Sequence, residues 1–310
     1  MIVYTVMSTK GGEGKTTTAA NLGGIFADMG LRVLFVDTDG QPSLSGYYEC
    51  RQRAEHGLTQ VVMSGKLTPD CISVLSLSPA EPTVRRLPKP HPEGCVHLVA
   101  SDDPEGRLQL WMGTRPHSVL RFRRALQNPW VREHYDIVII DTQGAVGSIQ
   151  DAAILAADQL ISPVTTSVLS AREFTTRTQE LLDRLDPGAE EEPPSLTSMP
   201  PVKAILYRVE NTTDSRVWAT EIRKNFLKLQ GRVTVLETVV PKAAAYTSAT
   251  TAMVPVHWYD PGRQSHVMHQ LAWELVPSLA GVYGWQIEQT TSAEVGDAAD
   301  PMDNTSVIPQ

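Results

Sequence analysis

Residues 7–24 read MSTKGGEGKTTTAANLGG. They follow the apolar run IVYTVM (2–7) and lead into a stretch with helical character. A buried strand, a glycine-rich turn and a helix in immediate succession form half of a βαβ unit, which places this stretch in an α/β fold. Gly11, Gly12 and Gly14 let the backbone curl so that successive N–H groups converge on one anion. The helix that starts near Lys15 adds the positive end of its dipole. The general loop pattern G-x-x-x-x-G-K-[ST] asks for glycine at position 9, where this chain has Thr9, and the chain adds a second lysine, Lys10.

Working outward, short β-branched runs alternate with helical patterns, the signature of a parallel sheet covered on both sides. Strands are predicted at 2–8, 32–37, 96–100, 136–141, 159–164, 202–209 and 233–238. Helices are predicted at 15–29, 117–127, 148–157, 170–185, 214–229 and 265–279. The expected fold is a single doubly wound, mostly parallel sheet with helices on both faces, spanning residues 1–288. Segment 40–95 is the least regular, and its LPKPHPEG (87–94) cannot lie inside a helix. The stretch 186–201 is acidic and proline-rich and reads as an exposed connection. Residues 289–310 hold four acids and no Lys or Arg, and are expected to be a disordered tail.

The composition narrows the options. The 310 residues are 41% apolar, and no run of about 18 apolar residues marks a membrane span. MIVYTVMSTK lacks the basic segment and cleavage site of a leader, so a cytoplasmic protein is expected. Cys50, Cys71 and Cys95 are far apart, with no C-x-x-C pair to suggest a zinc or iron–sulfur site. The net charge of −8 does not announce a nucleic-acid binder, but basic residues gather at 115–124 and 223–232.

Chemistry-bearing residues fall at strand ends. In the loop itself, Lys15 is placed to reach the β- and γ-phosphates of a nucleotide, and the Thr16 hydroxyl to ligate Mg²⁺. RVLFVDTDGQPS (32–43) is a buried strand ending in Asp37 and Asp39, two carboxylates at the mouth of an α/β site. The plain alternative for such an Asp is a cap on the next turn. YDIVIIDTQGAVG (135–147) has four apolar residues ending in Asp141, the form of a Walker B strand whose carboxylate holds Mg²⁺.

The form K-G-G-x-G-K-T-T (10–17) resembles the deviant Walker A loop of the ParA/MinD family of ATPases. The resemblance extends through V-D-x-D at 36–39, A-A-D-x-x-x-x-P-V at 156–164 and, at 238–241, a strand end similar to the family's T-x-I-P, and covers residues 2 to 280. It implies ATP and Mg²⁺ as cofactors, with Gly11, Gly12, Glu13, Gly14, Lys15, Thr16 and Thr17 around the phosphates. Thr16, Asp37 and Asp141 are implied near the metal, and Asp39 as the group that positions the attacking water. Lys10 is implied to reach across an ATP-sandwich homodimer to the partner's phosphates. Pro241 and Lys242 are implied beside adenine, with Arg208 and Asn211 as further base-edge candidates. Three departures stand out: Asp39-Gly40-Gln41-Pro42 stands where the family has D-P-Q, Glu13 occupies a position usually apolar, and Gln143-Gly144 replace the prolines of the family's D-x-P-P.

Within that family the short ParA (Soj-like) type fits best. The C-terminus carries no basic amphipathic helix of the MinD kind, so no membrane partner is expected. The resemblance implies weak ATP hydrolysis stimulated by a ParB-like protein. It also implies nonspecific binding to double-stranded DNA, at the nucleoid, for partition of a plasmid or integrated mobile element. Arg223, Lys224 and Lys228 on the predicted helix 214–229, with Arg263, are the DNA-contact candidates; the alternative for them is a solvated helix face. Competing functions are a biosynthetic synthetase-like P-loop enzyme and a ParA-like ATPase that positions a cargo other than DNA.

Overall fold

The computed structural model describes residues 1–8, 12–78, 91–115, 118–144, 146–167, 176–181, 184–185, 199–227 and 231–284. Among these, nine strands form one sheet in the order β3-β4-β5-β2-β6-β1-β7-β8-β9. The strands are β1 (Ile2–Val6), β2 (Arg32–Asp37), β3 (Glu49–Gln52), β4 (Ser73–Ser76), β5 (Cys95–Val99), β6 (Ile137–Asp141), β7 (Gln159–Thr165), β8 (Val202–Val209) and β9 (Val233–Pro241). All pairings from β5 to β9 are parallel, and β4 alone runs against its neighbours. The expected mostly parallel α/β architecture is therefore the observed one.

Helices α1 (Lys15–Asp28), α2 (Leu58–Ser64), α3 (Arg107–Gly113), α4 (Ser118–Leu126), α5 (Pro129–His134) and α6 (Ser148–Ala156) are followed by α7 (Thr213–Leu227), α8 (Ala244–Thr251), α9 (Val256–Tyr259) and α10 (Arg263–Leu275). Strand alternation sorts them into two layers. Tyr4, Val6, Val33 and Phe35 point into a core closed by α1, α8, α9 and α10. Val3, Leu34, Val36, Val138 and Ile140 point the other way, into a core closed by α2 to α6. A third cluster joins Leu160, Val164, Ala204 and Leu206 of β7 and β8 to Ile222 and Phe226 of α7. The central strands are buried on both faces, which is why they read as continuous apolar runs.

Segment 40–95, expected to be irregular, contains β3, α2 and β4. Of the helix expected over 170–185, residues 176–181 and 184–185 are described and are helical. The expected tail, 289–310, lies outside the described residues.

Candidate functional site

The site sits on the C-terminal edge of the parallel sheet, where β1, β2 and β6 end side by side. Gly12 and Gly14 both have left-handed backbone angles, φ 79° and 89°, and Gly14 is the N-cap of α1. A Cβ on Gly14 would run into the Tyr207 ring, so glycine is required there twice over, for its angle and for its close approach. Lys15 and Glu13 are buried, and the Lys15 ammonium lies 3.5 Å from the Ser8 hydroxyl. Thr9, Lys10 and Gly11 lie outside the described residues.

The acidic strand ends are stitched together. Asp37 and Asp141 occupy the same rung of β2 and β6. Just beyond that rung, Thr38 donates both its N–H (3.0 Å) and its hydroxyl (2.8 Å) to the Asp141 carbonyl. Asp37 is held by the N–H and the hydroxyl of Ser45, both at 2.8 Å, and accepts the Asp39 N–H at 3.1 Å. Asp39, half-buried, accepts the Gln41 N–H at 3.0 Å. The Thr16 hydroxyl donates to Asp141 Oδ2 at 2.7 Å, joining the start of α1 to the end of β6.

Burial dominates the electrostatics of the acidic strand ends. Asp141 is buried, and desolvation pushes its carboxyl up to about 8 against the opposing pull of Thr16 and Lys15. Asp37 is raised as well, again chiefly by burial, although Ser45 and the Asp39 N–H favour its charged form. The other oxygen of Asp141, Oδ1, is buried and has no hydrogen-bond partner.

A cleft of about 700 Å³ opens beside the loop. Thr17, Tyr207, Arg208, Pro241, Lys242 and Tyr246 are among the residues that line it. Arg208 is a non-glycine residue at φ 55°, placed at a register shift between β8 and β9. Such a bulge re-aims a side chain, and here the guanidinium reaches to 3.5 Å from the Gly12 carbonyl. Lys242 pairs with Glu210 at 2.7 Å on the cleft's rim. Asn211 is exposed, does not line the cleft, and accepts from Arg216 at 2.6 Å.

The sequence predicted the loop residues, Asp37, Asp39 and Asp141, and the structure brings the described ones together at one edge. Sequence reasoning missed Ser45, Thr38 and Tyr207. A serine eight residues past a strand-end Asp carries no pattern of its own. A tyrosine that follows an apolar run carries only a strand signal.

Comparison with known proteins decides the family. Residues 1–187 match a family model described as "AAA domain". The chain belongs to the ParA/MinD family of P-loop ATPases. It is 34% identical over 192 residues to the probable plasmid-partitioning protein ParA of Thermus thermophilus, covering 60% of this chain and 53% of that protein. It is 30% identical over 167 residues to the maintenance of carboxysome distribution protein A of Synechococcus elongatus, covering 54% and 59%. The chain thus spans about half the length of the curated relatives it matches first. Among solved structures, apo McdA of Cyanothece superposes with a TM-score of 0.68 at 20% identity, covering 89% of this chain and 99% of that one. At that identity the likeness speaks for the fold.

The residues present in this ParA/MinD-type ATPase fit a magnesium-bound nucleotide. The unpartnered Asp141 oxygen and the raised Asp37 and Asp141 carboxyls are groups that a divalent cation would satisfy and ionise. Among the described residues no group of three or more His, Cys, Asp or Glu is arranged to hold a metal ion. Mg²⁺ takes one or two protein ligands and completes its shell with phosphates and water. Such a cation would screen charge on the phosphates; Thr16 and Asp141 would hold it, and Lys15 would face the phosphates.

The surface candidates are placed differently. Arg223 on α7 contacts Glu237 at 3.3 Å and Lys224 pairs with Glu221 at 3.1 Å. Arg263 is exposed at the first turn of α10. Lys228 lies outside the described residues. No helix among the described residues is long and apolar enough to cross a membrane.

Proposed function

We propose that the chain is an ATP-driven positioning ATPase, which binds Mg-ATP in the loop–cleft site, assembles as a homodimer with ATP and hydrolyses it slowly. The observation that carries this reading is the join of Thr16 to Asp141 and of Asp141 to Thr38. The Thr16 hydroxyl meets the Asp141 carboxylate, and the Asp141 backbone carbonyl meets Thr38, so the phosphate loop, the metal-side residue and the strand end that bears Asp39 meet at one edge. Binding and turnover are thereby linked in one rigid edge. Lys15 and the loop N–H groups bind phosphate, Thr16 and Asp141 hold Mg²⁺ with Asp37 beside them, and Asp39 orients the attacking water. Lys10 completes the partner's site. The base lies in the cleft against Pro241 and Lys242.

The cargo is DNA or a protein body, and the relatives named for plasmid partitioning and for carboxysome distribution support both forms equally. Surface charge tilts the balance away from a DNA-only role. Arg223 and Lys224 each already face a carboxylate, so the phosphate-binding capacity of α7 is weakened at two of its cations. A partner of the ParB kind would accelerate hydrolysis, in the cytoplasm and, for a DNA cargo, at the nucleoid.

Sedimentation with Mg-ATP, Mg-ADP or no nucleotide, each with and without nonspecific duplex DNA, tests the reading. A dimer with ATP alone supports it. DNA co-sedimentation that fades with salt assigns a DNA cargo, and its absence assigns a non-DNA one. ATP turnover with no assembly in any arm would overturn the reading in favour of a synthetase-like enzyme.

A further inference from the structure

The segment that carries Asp39 leaves the core at the end of β2 and returns to it within a few residues. Asp37 and Thr38 are buried, Asp39 and Gly40 half-buried, Gln41, Pro42 and Ser43 exposed, and Leu44 is fully buried again. Residues 38–44 therefore form an arch with two buried feet. One foot is fixed by Thr38, which donates its N–H and its hydroxyl to the Asp141 carbonyl. The other is fixed by Leu44 in the core and by Tyr47, whose hydroxyl accepts from Asn21 of α1 at 3.0 Å.

The feet are tied to each other through Asp37. The N–H and the hydroxyl of Ser45 both donate to Asp37 Oδ2 at 2.8 Å. The second oxygen of the same carboxylate, Oδ1, accepts the Asp39 N–H at 3.1 Å. One oxygen thus grips the far foot and the other grips the backbone of Asp39. Asp39 Oδ1 in turn accepts the Gln41 N–H at 3.0 Å, which carries the tie on into the arch. Gly40 follows Asp39 where the resembled motif has proline, so the chain there gains no stiffness from a ring and restricts its angles least.

We propose that Ser45 is a positioning residue for ATP hydrolysis. By holding Asp37 Oδ2 it fixes the carboxylate whose other oxygen sets the backbone of Asp39, and so keeps the Asp39 side chain in its place. This rests on the ATPase reading above, in which Asp39 orients the attacking water. Ser45 acts only through Asp37. Two donors from one residue fix the tilt of the carboxylate as well as its position, and the N–H alone would leave it free to rock. A misaligned partner in the reaction lowers the rate without lowering affinity.

Single-turnover hydrolysis of Mg-ATP by the full chain tests this with Ser45→Ala, Ser45→Cys, Ser45→Thr and Ser43→Ala, at limiting and at saturating Mg²⁺. ATP affinity by calorimetry and melting temperature are measured alongside. Ser45→Ala should slow turnover by about tenfold, the size of one lost hydrogen bond to a charged group, with ATP affinity unchanged and no recovery at saturating Mg²⁺. Ser45→Cys keeps nearly the same volume with a weak donor and should also be slow. Ser45→Thr keeps both donors and should turn over near the wild-type rate. Ser43→Ala removes an exposed hydroxyl of the same arch, one that donates to the Gln41 carbonyl, and should match wild type. A lower melting temperature in Ser45→Ala with the wild-type rate would make Ser45 a structural brace and overturn the proposal. So would recovery at saturating Mg²⁺, which would make it a holder of the metal side alone, or a Ser45→Thr as slow as Ser45→Ala. Absence of turnover in the wild type would instead overturn the ATPase reading itself.

Discussion

At the scale of single residues, the site sets one buried lysine beside two buried carboxyls. Lys15→Ala removes the buried cation nearest the expected phosphates, and calorimetry should show nucleotide affinity lost by at least about 100-fold. Asp39→Ala should behave in the opposite way. ATP binding and ATP-dependent assembly persist while phosphate release stops, because the residue acts on the transition state rather than the ground state. Asp141 gives a pH signature. Its folded value of about 8 exceeds that of an unfolded Asp, so the folded protein holds a proton that the unfolded chain releases. Nucleotide-free stability from this group is therefore full below the unfolded value of about 4 and declines as pH rises from about 4 to about 8. Asp141→Asn should melt higher than wild type at pH 8 without nucleotide, the gap narrowing at pH 5. Equal melting temperatures at pH 8 would show that Asp141 is not a suppressed carboxylate.

At the scale of elements, one of the buried groups that tie α1 to its layer is an amide, Asn21. Asn21 donates to the Thr17 carbonyl at 2.8 Å and to the Tyr47 hydroxyl at 3.0 Å, and accepts the Val256 N–H at 2.6 Å. Asn21→Ala strands a buried N–H at the start of α9 and should cost about 2–3 kcal/mol. Urea denaturation should show a lower midpoint with unchanged slope. The elements also show what a sequence displays and what it hides. β2, β6 and β8 were legible because burial on both faces leaves unbroken β-branched runs. β1 and α1 were legible because the glycines of the loop punctuate them. β3, with the sequence ECRQ, has neither alternation nor an apolar run, and becomes a strand only by pairing with β4 at the sheet's edge. α8, AAYTSATT, is rich in threonine, whose intrinsic helix preference is poor. Its helix is fixed by packing Tyr246 and Ala249 into the core. At the site, the carboxylates announced themselves at strand ends. Their holders, Ser45 and Thr38, did not, because holding depends on which strands end side by side, and strand order is a property of the assembled sheet.

At the scale of the whole molecule, the sheet places Lys15, Thr16, Asp37, Asp39 and Asp141 on one edge. The rung shared by Asp37 and Asp141 is the proposed common base for metal, water and phosphate loop. Hydrolysis at this edge must be shielded from solvent to be controlled, and a second copy of the chain, brought in by ATP, is the cover proposed here. Lys10 would be the residue that senses it. Lys10→Ala should bind ATP yet remain a monomer, and an ATP dimer as tight as wild type would remove that role. The central claim, that ATP switches the assembly of this chain, is tested most directly by sedimentation velocity of the Asp39→Ala variant with Mg-ATP, Mg-ADP and no nucleotide. The account predicts a dimer with ATP and a monomer in the other two. The same sedimentation coefficient in all three would contradict it.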